Sequence, residues 1–585
     1  MPNALNLLIR IILSVFFLIF PIFYLNFTFE PSEQSKLLLL IITTAFLLIL
    51  NSLKIAFSRK INIIKSPYLL PLFLIASIYI ISSFINSPNI FLTFITGQST
   101  STWLFLFIFF LLFQNQNNPK FRFFLSQMLV LGTALAGIYT ILMYLGFTPL
   151  SVITPTGNLL STALFFLIII VFVVASLSLR FHFFPFFMLL IIIASEFTIL
   201  LHLLADQRPI LLPNSIGFSI LSRVIQNPKA VLLGVGPANF LAAFTLGKPA
   251  SINQTPIWNI TFSSSSSFLI NMLSEAGIIT GFIYIYIFIS ICYFLVKYPK
   301  LFPYHISLLI LILLLAFLPA SIAIMILLIV FLALACQSSE IRTINLHKLS
   351  FIIYAFPLLT FVLAALFSYL SIRAYLAEVY YRQSFYALDA QDGTDAYNKQ
   401  KQAMKLNPYI DKYHLAIAQT SLLLADSLSK KENPAPVDLQ KIPKLAQQAI
   451  EEGKLAVKLN KTNVFNWLNL SKIYASLASY AEGADKWAIE AARQAVILDP
   501  VNPNNYITLG QLYFDQDQFD NAEKYFLQAL KLKNDLAKAH YQLGLVLIKK
   551  NNNEEARRHL DQALKLYPAA SPEYIEVEEV LNSLL

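Results

Sequence analysis

Cysteine is nearly missing from this chain of 585 residues: Cys292 and Cys336 are the only two, and both sit in apolar runs. That excludes a disulfide framework and a thiolate metal site. Charge is scarce as well, at 13% of residues against 57% hydrophobic and 50 Phe, which excludes a single soluble globule. The chain reads instead as an integral membrane protein with something attached. Its few charges are unevenly divided. Residues 1–373 hold 18 Lys and Arg against 6 Asp and Glu, a net of +12, whereas residues 374–585 carry 24 against 26, a net of −2. Histidine is absent between His202 and His305.

What the first part has in quantity is apolar runs. About 30 Å of hydrocarbon needs roughly 20 residues of helix, and about eleven runs approach that length. They lie near 5–25, 36–57, 68–86, 98–113, 123–146, 158–179, 183–204, 266–296, 302–318, 320–336 and 349–371. Basic residues recur in every second connection: Arg10, the Lys54/Arg59/Lys60/Lys65 cluster, Lys120/Arg122, Arg180, Lys297/Lys300 and Arg342/Lys348. By the positive-inside rule this predicts a multi-pass protein of the plasma (inner) membrane with a cytoplasmic N-terminus and residues 205–265 outside. Reading 305–336 as a hairpin broken at Pro319 keeps both flanking basic pairs inside and puts everything after residue 371 outside.

The second part repeats itself. Ala495, Ala529 and Ala563 are 34 residues apart, as are Leu509 and Leu543, Gly510 and Gly544, and Ala522 and Ala556. Tyr506, Leu509, Gly510, Tyr513, Ala522, Phe526 and Ala529 follow Pro503 in an order that resembles the tetratricopeptide repeat, a helix pair. Looser copies precede it, around Trp467 to Pro500, Ala449/Ala456 and Ala396 to Pro408. The expected fold is therefore all-α: a polytopic helix bundle over 1–371, then a solenoid of about five repeat pairs over 374–585. Such stacks present a curved surface, so a protein partner is expected there. No nucleic-acid partner and no cofactor are expected.

The loop 205–265 carries Asp206, Arg208, Arg223, Lys229 and Lys248, a net of +3. A basic, membrane-proximal pocket suits an anionic, lipid-linked head group. Pro213 to Ile225 reads as a helix lying in the interface plane, with membrane lipid under its apolar face. The stretch VLLGVGPANF follows it. Gly234 and Gly236 allow positive φ and a close approach of backbone N–H groups to a ligand, and Asn239 offers an amide; a turn tucked under the loop and anchored by Phe240 is the other reading. Glu196 is a carboxylate inside the seventh run, where a charge is expensive and is either functional or a structural partner. Asp206 and Arg208 stand at the end of that run, as site residues or as a salt bridge. Glu275 lies two turns into the eighth run, as an acid or base or paired with Lys248 or Arg208. The serines 263–267 cap that helix or line a diphosphate site.

NPKAVLLGVGPANF resembles the Pro, Gly-x-Gly-x-x-Phe element in the outer loop of the O-antigen ligase and polysaccharide polymerase superfamily, and FLINMLSEAGIITG resembles its E-x-G-x-x-G segment. The resemblance implies an integral membrane glycosyltransferase that moves a glycan from a polyprenyl diphosphate carrier to an acceptor without a metal. On a reading as such a transferase, the residues expected to hold the carrier diphosphate and glycan are Arg208, Arg223, Lys248, Gly234, Gly236 and Asn239, and those expected in acid–base roles are Glu275, Asp206 or Glu196; neither arginine is aligned with the family's own. This chain departs from the family in having Ile216 where an arginine is usual and SSSSS where a His-Asn pair is usual. Two other classes stay open. One is a catalytically silent relative that binds the carrier and acts as a repeat scaffold. The other is a transporter, for which Glu196 and Glu275 would be the ionisable groups at membrane depth.

Overall fold

The helices follow the apolar runs and the 34-residue period. The computed structural model describes residues 1–116, 118–147, 153–205, 209–336, 341–345, 350–431, 435–478 and 481–584. The chain divides into two units. The first comprises Met1–Gly217, Ile225–Ala238 and Ser264–Arg382; the second comprises Phe218–Val224, Asn239–Ser263 and Gln383–Leu585.

The first part of the chain runs through α1 (Pro2–Ile19), α2 (Pro31–Ser58), α3 (Leu69–Ile85), the single turn α4 (Ile90–Thr93), α5 (Thr100–Gln114), α6 (Pro119–Tyr144), α7 (Leu159–Leu179) and α8 (Phe183–Leu204). After α9 (Asn214–Ile225), α10 (Ala230–Leu233) and α11 (Phe240–Gly247) come α12 (Phe268–Ala276), α13 (Ile278–Lys297), α14 (Phe302–Leu315), α15 (Ile322–Ala335) and α16 (Ser350–Asp389). Among the described residues seven of these are long and apolar enough to cross a membrane, rather than the eleven expected. The other apolar runs form shorter helices: α3, α5, α14 and α15 have 17, 15, 14 and 14 residues. The eighth run is not one helix either. It breaks at Gly277, whose φ of +84° and ψ of 176° lie in a region essentially reserved for glycine. The run at 305–336 is indeed two helices that pack together, α14 and α15, separated by the turn that holds Pro319.

Outward faces of α3, α8, α13 and α16 stay apolar, with Phe84, Phe197, Phe282 and Leu358 all more than 60% exposed. Continuous apolar surface of this kind is compatible with lipid contact. The centre is different. All 14 residues of α15 are buried, as expected of a helix that is hydrophobic all round. Charged side chains from two other helices hold its ends: Glu33 of α2 accepts the Ile322 N–H at 2.9 Å, and Arg122 of α6 donates to the Cys336 carbonyl and, at 3.2 Å, to that of Gln116. A carboxylate at the N-terminus and a guanidinium at the C-terminus both complement the helix dipole. Arg122→Ala is expected to destabilise this unit by about 2–3 kcal/mol, since two buried carbonyls lose a charged donor; apparent thermal unfolding in detergent measures it.

Among the described residues two short antiparallel ladders depart from the all-helical reading. β1 (Lys60–Ile64) pairs with β4 (Ile341–Asn345), Lys60 opposite Asn345, and β2 (Ile153–Thr154) pairs with β3 (Gly157–Asn158).

α16 runs through the position near residue 371 where a domain boundary is expected and continues to Asp389. Beyond it the helices pair in order: α17 (Gly393–Leu406), α18 (Asp411–Ser429) with α19 (Pro436–Leu459), α20 (Val464–Ser476) with α21 (Ala484–Leu498), α22 (Pro503–Phe514) with α23 (Phe519–Leu532), and α24 (Ala537–Lys549) with α25 (Asn553–Leu566), closed by α26 (Pro572–Asn582). The small residues explain the spacing. A Cβ on Gly510 would sit 2.6 Å from the Phe526 ring, and one on Gly544 would sit 2.8 Å from Leu560, so the last two pairs each close over a glycine. A second regularity runs through the turns between pairs. His414 Nε2, Trp467 Nε1, Tyr506 Oη and His540 Nε2 each face the carbonyl six residues earlier, those of Pro408, Lys461, Pro500 and Asn534, at 2.8–2.9 Å. One ring at one position of each first helix thereby pins the turn that precedes it.

Candidate functional site

The two motif-bearing stretches of the first unit interlock. α10 ends at Gly234 (φ +68°, ψ −168°), and Gly236 is at φ +97°. A Cβ on Gly234 would lie 2.2 Å from the Glu275 carbonyl carbon, and one on Gly277 would lie 2.1 Å from the Leu232 oxygen. Each glycine is thus required by the other motif's backbone. Val235 N–H donates to the Ser274 carbonyl at 2.8 Å and Gly236 N–H to that of Glu275 at 3.1 Å. The expectation that these N–H groups meet a ligand is corrected: they are engaged inside the protein, and the tucked turn with Phe240 fully buried is the arrangement found.

The end of α3 completes this node. Ser82 Oγ donates to the Leu233 and Glu275 carbonyls at 2.5 and 3.1 Å, Asn86 Nδ2 to that of Gly234 at 2.7 Å, and Ser87 Oγ to that of Pro237 at 3.1 Å. Glu275 is 4% exposed, and its carboxyl bonds the Ala238 backbone and the Asn271 side chain. Ala238 takes a left-handed φ of 59° to present that N–H. Glu275 therefore clamps the glycine turn. The serine run behaves as a cap: Ser267 Oγ accepts from Ile270 N–H at 3.2 Å and donates to the Ala316 carbonyl at 2.6 Å, while Ser266 Oγ donates to Asn214 Oδ1 at 2.8 Å. Ser82, Asn86, Ser87 and Asn271 went unnoticed in the sequence, although SSFINSPN is a polar run closing an apolar one.

Of the remaining candidates, Asp206 and Arg208 lie outside the described residues. Glu196 is in α8, its Oε2 buried without a hydrogen-bond partner among the described residues. Arg223 is exposed in the last turn of α9. Two further ionisable side chains lie near the start of α2: Glu33 caps α15, and the fully buried Lys36 donates to the Phe20 and Phe23 carbonyls at 2.6 and 3.2 Å.

Lys248 and Asn239 belong to the second unit, where they serve the repeats. Lys248 Nζ is 3.0 Å from both carboxylate oxygens of Asp499, with both side chains under 5% exposed, and lies over the Phe244 ring. The diphosphate role expected of Lys248 is therefore replaced by a buried ion pair, and Glu275 is not its partner. Burial raises the Asp499 pKa, and the Lys248 ammonium opposes that. Asn239 Oδ1 accepts from Thr462 Oγ1 at 3.1 Å, Asn253 Nδ2 donates to the Val501 and Leu532 carbonyls at 2.9 and 3.3 Å, and Lys533 donates back to the Asn253 carbonyl at 3.2 Å. Residues 239–258 thus run along three successive turns between repeat pairs, touching 462, 499–501 and 532–533 in order. Asp499 was legible only as the acid of an Asp-Pro turn.

Comparison with known proteins supports the repeats. The tetratricopeptide repeat family model matches residues 502–569. Human protein O-mannosyl-transferase TMTC3 is 29% identical over 125 residues, 21% of this chain and 13% of that protein. The Arabidopsis thaliana E3 ubiquitin-protein ligase CHIP is 29% identical over 97 residues, 17% of this chain and 35% of that protein. The chain thus spans about an eighth and a third of these relatives. Among solved structures, MamA is 20% identical over 33% of this chain and 91% of its own, with a TM-score of 0.26. A thermophilic TPR protein of Thermus thermophilus is 20% identical over 36% and 98%, with a TM-score of 0.27. A tetratricopeptide repeat module, a fold that serves protein–protein interaction, occupies the C-terminal part of the chain.

Proposed function

We propose that this is an integral membrane glycosyltransferase of the O-antigen ligase and polymerase type, with a cytoplasmic N-terminus and the repeats on the outer side docking a protein partner. An acceptor hydroxyl attacks the anomeric carbon of a polyprenyl-diphosphate-linked saccharide, the bond to the diphosphate breaks, and a carboxylate takes the hydroxyl proton. The observation that carries this reading is the interlock of the Gly-x-Gly and Glu-x-Gly elements. Two stretches some 40 residues apart, each resembling a family motif, form one packed unit and so support a shared architecture. Arg208 and Arg223 are assigned to the diphosphate and Asp206 to the acceptor proton, while Glu275 positions the loop.

The test follows transfer from a radiolabelled polyprenyl-diphosphate oligosaccharide by the detergent-purified protein. Arg208→Ala and Arg223→Ala are each expected to lower turnover by about tenfold or more, the loss of one charged hydrogen bond. A second reading, a carrier-binding scaffold without turnover, is favoured by the engagement of the glycine N–H groups, Asn239 and Lys248 within the protein. It predicts no transfer by the wild type but carrier binding that weakens in both arginine variants.

A further inference from the structure

The rings that pin the turns of the repeat module are of two kinds. In the inner pairs they are Trp467 and Tyr506, which do not titrate near neutrality; toward the ends they are His414 and His540. The two histidines have opposite surroundings. His414 Nε2 faces the Pro408 carbonyl and Nδ1 faces the Glu452 carboxylate of α19, so both nitrogens meet acceptors and both must carry hydrogen. Asp411, on the same helix as His414, adds a second negative charge. This is a place for an imidazolium.

His540 Nε2 likewise donates, to the Asn534 carbonyl, but its Nδ1 lies 2.9 Å from Nδ1 of His559 on α25, the rings stacked at 5.2 Å. That edge holds one hydrogen, because two N–H groups cannot face each other at this distance. The pair therefore accommodates one positive charge at most, placed on His559 Nε2 and balanced by Glu555 one turn earlier on α25.

We infer that the repeat module carries a two-ended proton response: acid separates α24 from α25 at its C-terminal end, base loosens α18 from α19 at its N-terminal end, and the middle pairs do not respond. The signs are consistent. Burial lowers the His559 pKa, the neighbouring ring adds to this and Glu555 opposes it, so stability is lost as pH falls below the ordinary histidine range. For His414 burial also lowers the pKa, but the Glu452 carboxylate and the Pro408 carbonyl outweigh it and the net shift is upward. Its contribution is complete below the ordinary value and lost as pH rises through the folded one. A partner held across an end pair would be released at one pH extreme and retained at the other.

Hydrogen–deuterium exchange on the full-length protein in detergent, from pH 5 to 8.5, tests this, with α22 and α23 as the internal reference for intrinsic exchange. Opening of 537–566 is expected to grow as pH falls from the ordinary histidine value toward the lowered His559 one, by no more than tenfold per pH unit for one proton, and opening of 411–459 to grow on the alkaline side. His540→Tyr is the control, because Tyr506 makes the same bond one repeat earlier; it removes the facing ring but leaves His559 buried, so it is expected to keep the fold and weaken the acid response. His414→Tyr tests the other end in the same way. A flat profile at both ends, protection lost evenly through α20–α23, or an acid response undiminished in His540→Tyr would each overturn the inference.

Discussion

Lys248→Ala is expected to destabilise the second unit by about 3–5 kcal/mol and to strip protection from residues 239–263, because it strands the Asp499 carboxylate in a buried place. The ammonium lies 3.0 Å from both carboxylate oxygens, and among the described residues it is the cation paired with Asp499. Replacing both partners by apolar residues of similar volume behaves differently. Lys248→Met with Asp499→Leu is expected to recover most of the loss, since the large penalty comes from an unpaired buried charge rather than from a missing attraction. Chemical unfolding of the three variants, with hydrogen exchange across 239–263, separates these outcomes. A single variant as stable as the wild type would mean that the strap is held by Asn239, Asn253 and Lys533 without the ion pair.

Gly277→Ala is the second large effect. Its φ and ψ are unavailable to alanine without strain, of order 1–3 kcal/mol, and its new Cβ would lie 2.1–2.2 Å from the Leu232 carbonyl, an overpacking of similar or greater size. The sum, roughly 4 kcal/mol, is expected to prevent the glycine turn from seating. Gly234→Ala meets the Glu275 carbonyl in the same way and is expected to match it. By contrast a Cβ on Gly146 would meet nothing, so Gly146→Ala controls for the strain of positive φ alone. Yield of folded protein on size exclusion, followed by apparent melting temperature, reads all three.

The sequence was informative where structure is local. A period of 34 residues is visible because each repeat pair contacts its neighbours in the chain, and Pro319 marks the α14–α15 turn because proline ends helices wherever it falls. It was silent where partners are remote. Nothing in VLLGVGPANF announces that its N–H groups pair with Ser274 and Glu275, and nothing in Lys248 points to a carboxylate 251 residues away. Reading the two glycines as a phosphate cradle was reasonable from φ alone, but free backbone donors are a tertiary property. Hydropathy failed for another reason. It averaged across Gly277 and merged two helices, and it could not tell a helix facing lipid from one facing other helices.

That last distinction bears on how the molecule is made. At 1.5 Å per residue, α15 is about 21 Å long, too short to anchor itself across a bilayer by its own contact with lipid. Its neighbours α2, α5, α7 and α14 all precede it in the chain, as do Glu33 and Arg122, which hold its ends. With the first unit embedded as proposed, a ribosome delivers this helix after all four of those neighbours, into a slot whose walls and both latches are already in place. The order of synthesis is then part of the folding instruction: a circularly permuted chain that emerges with α15 first would offer the insertion machinery a segment with no berth.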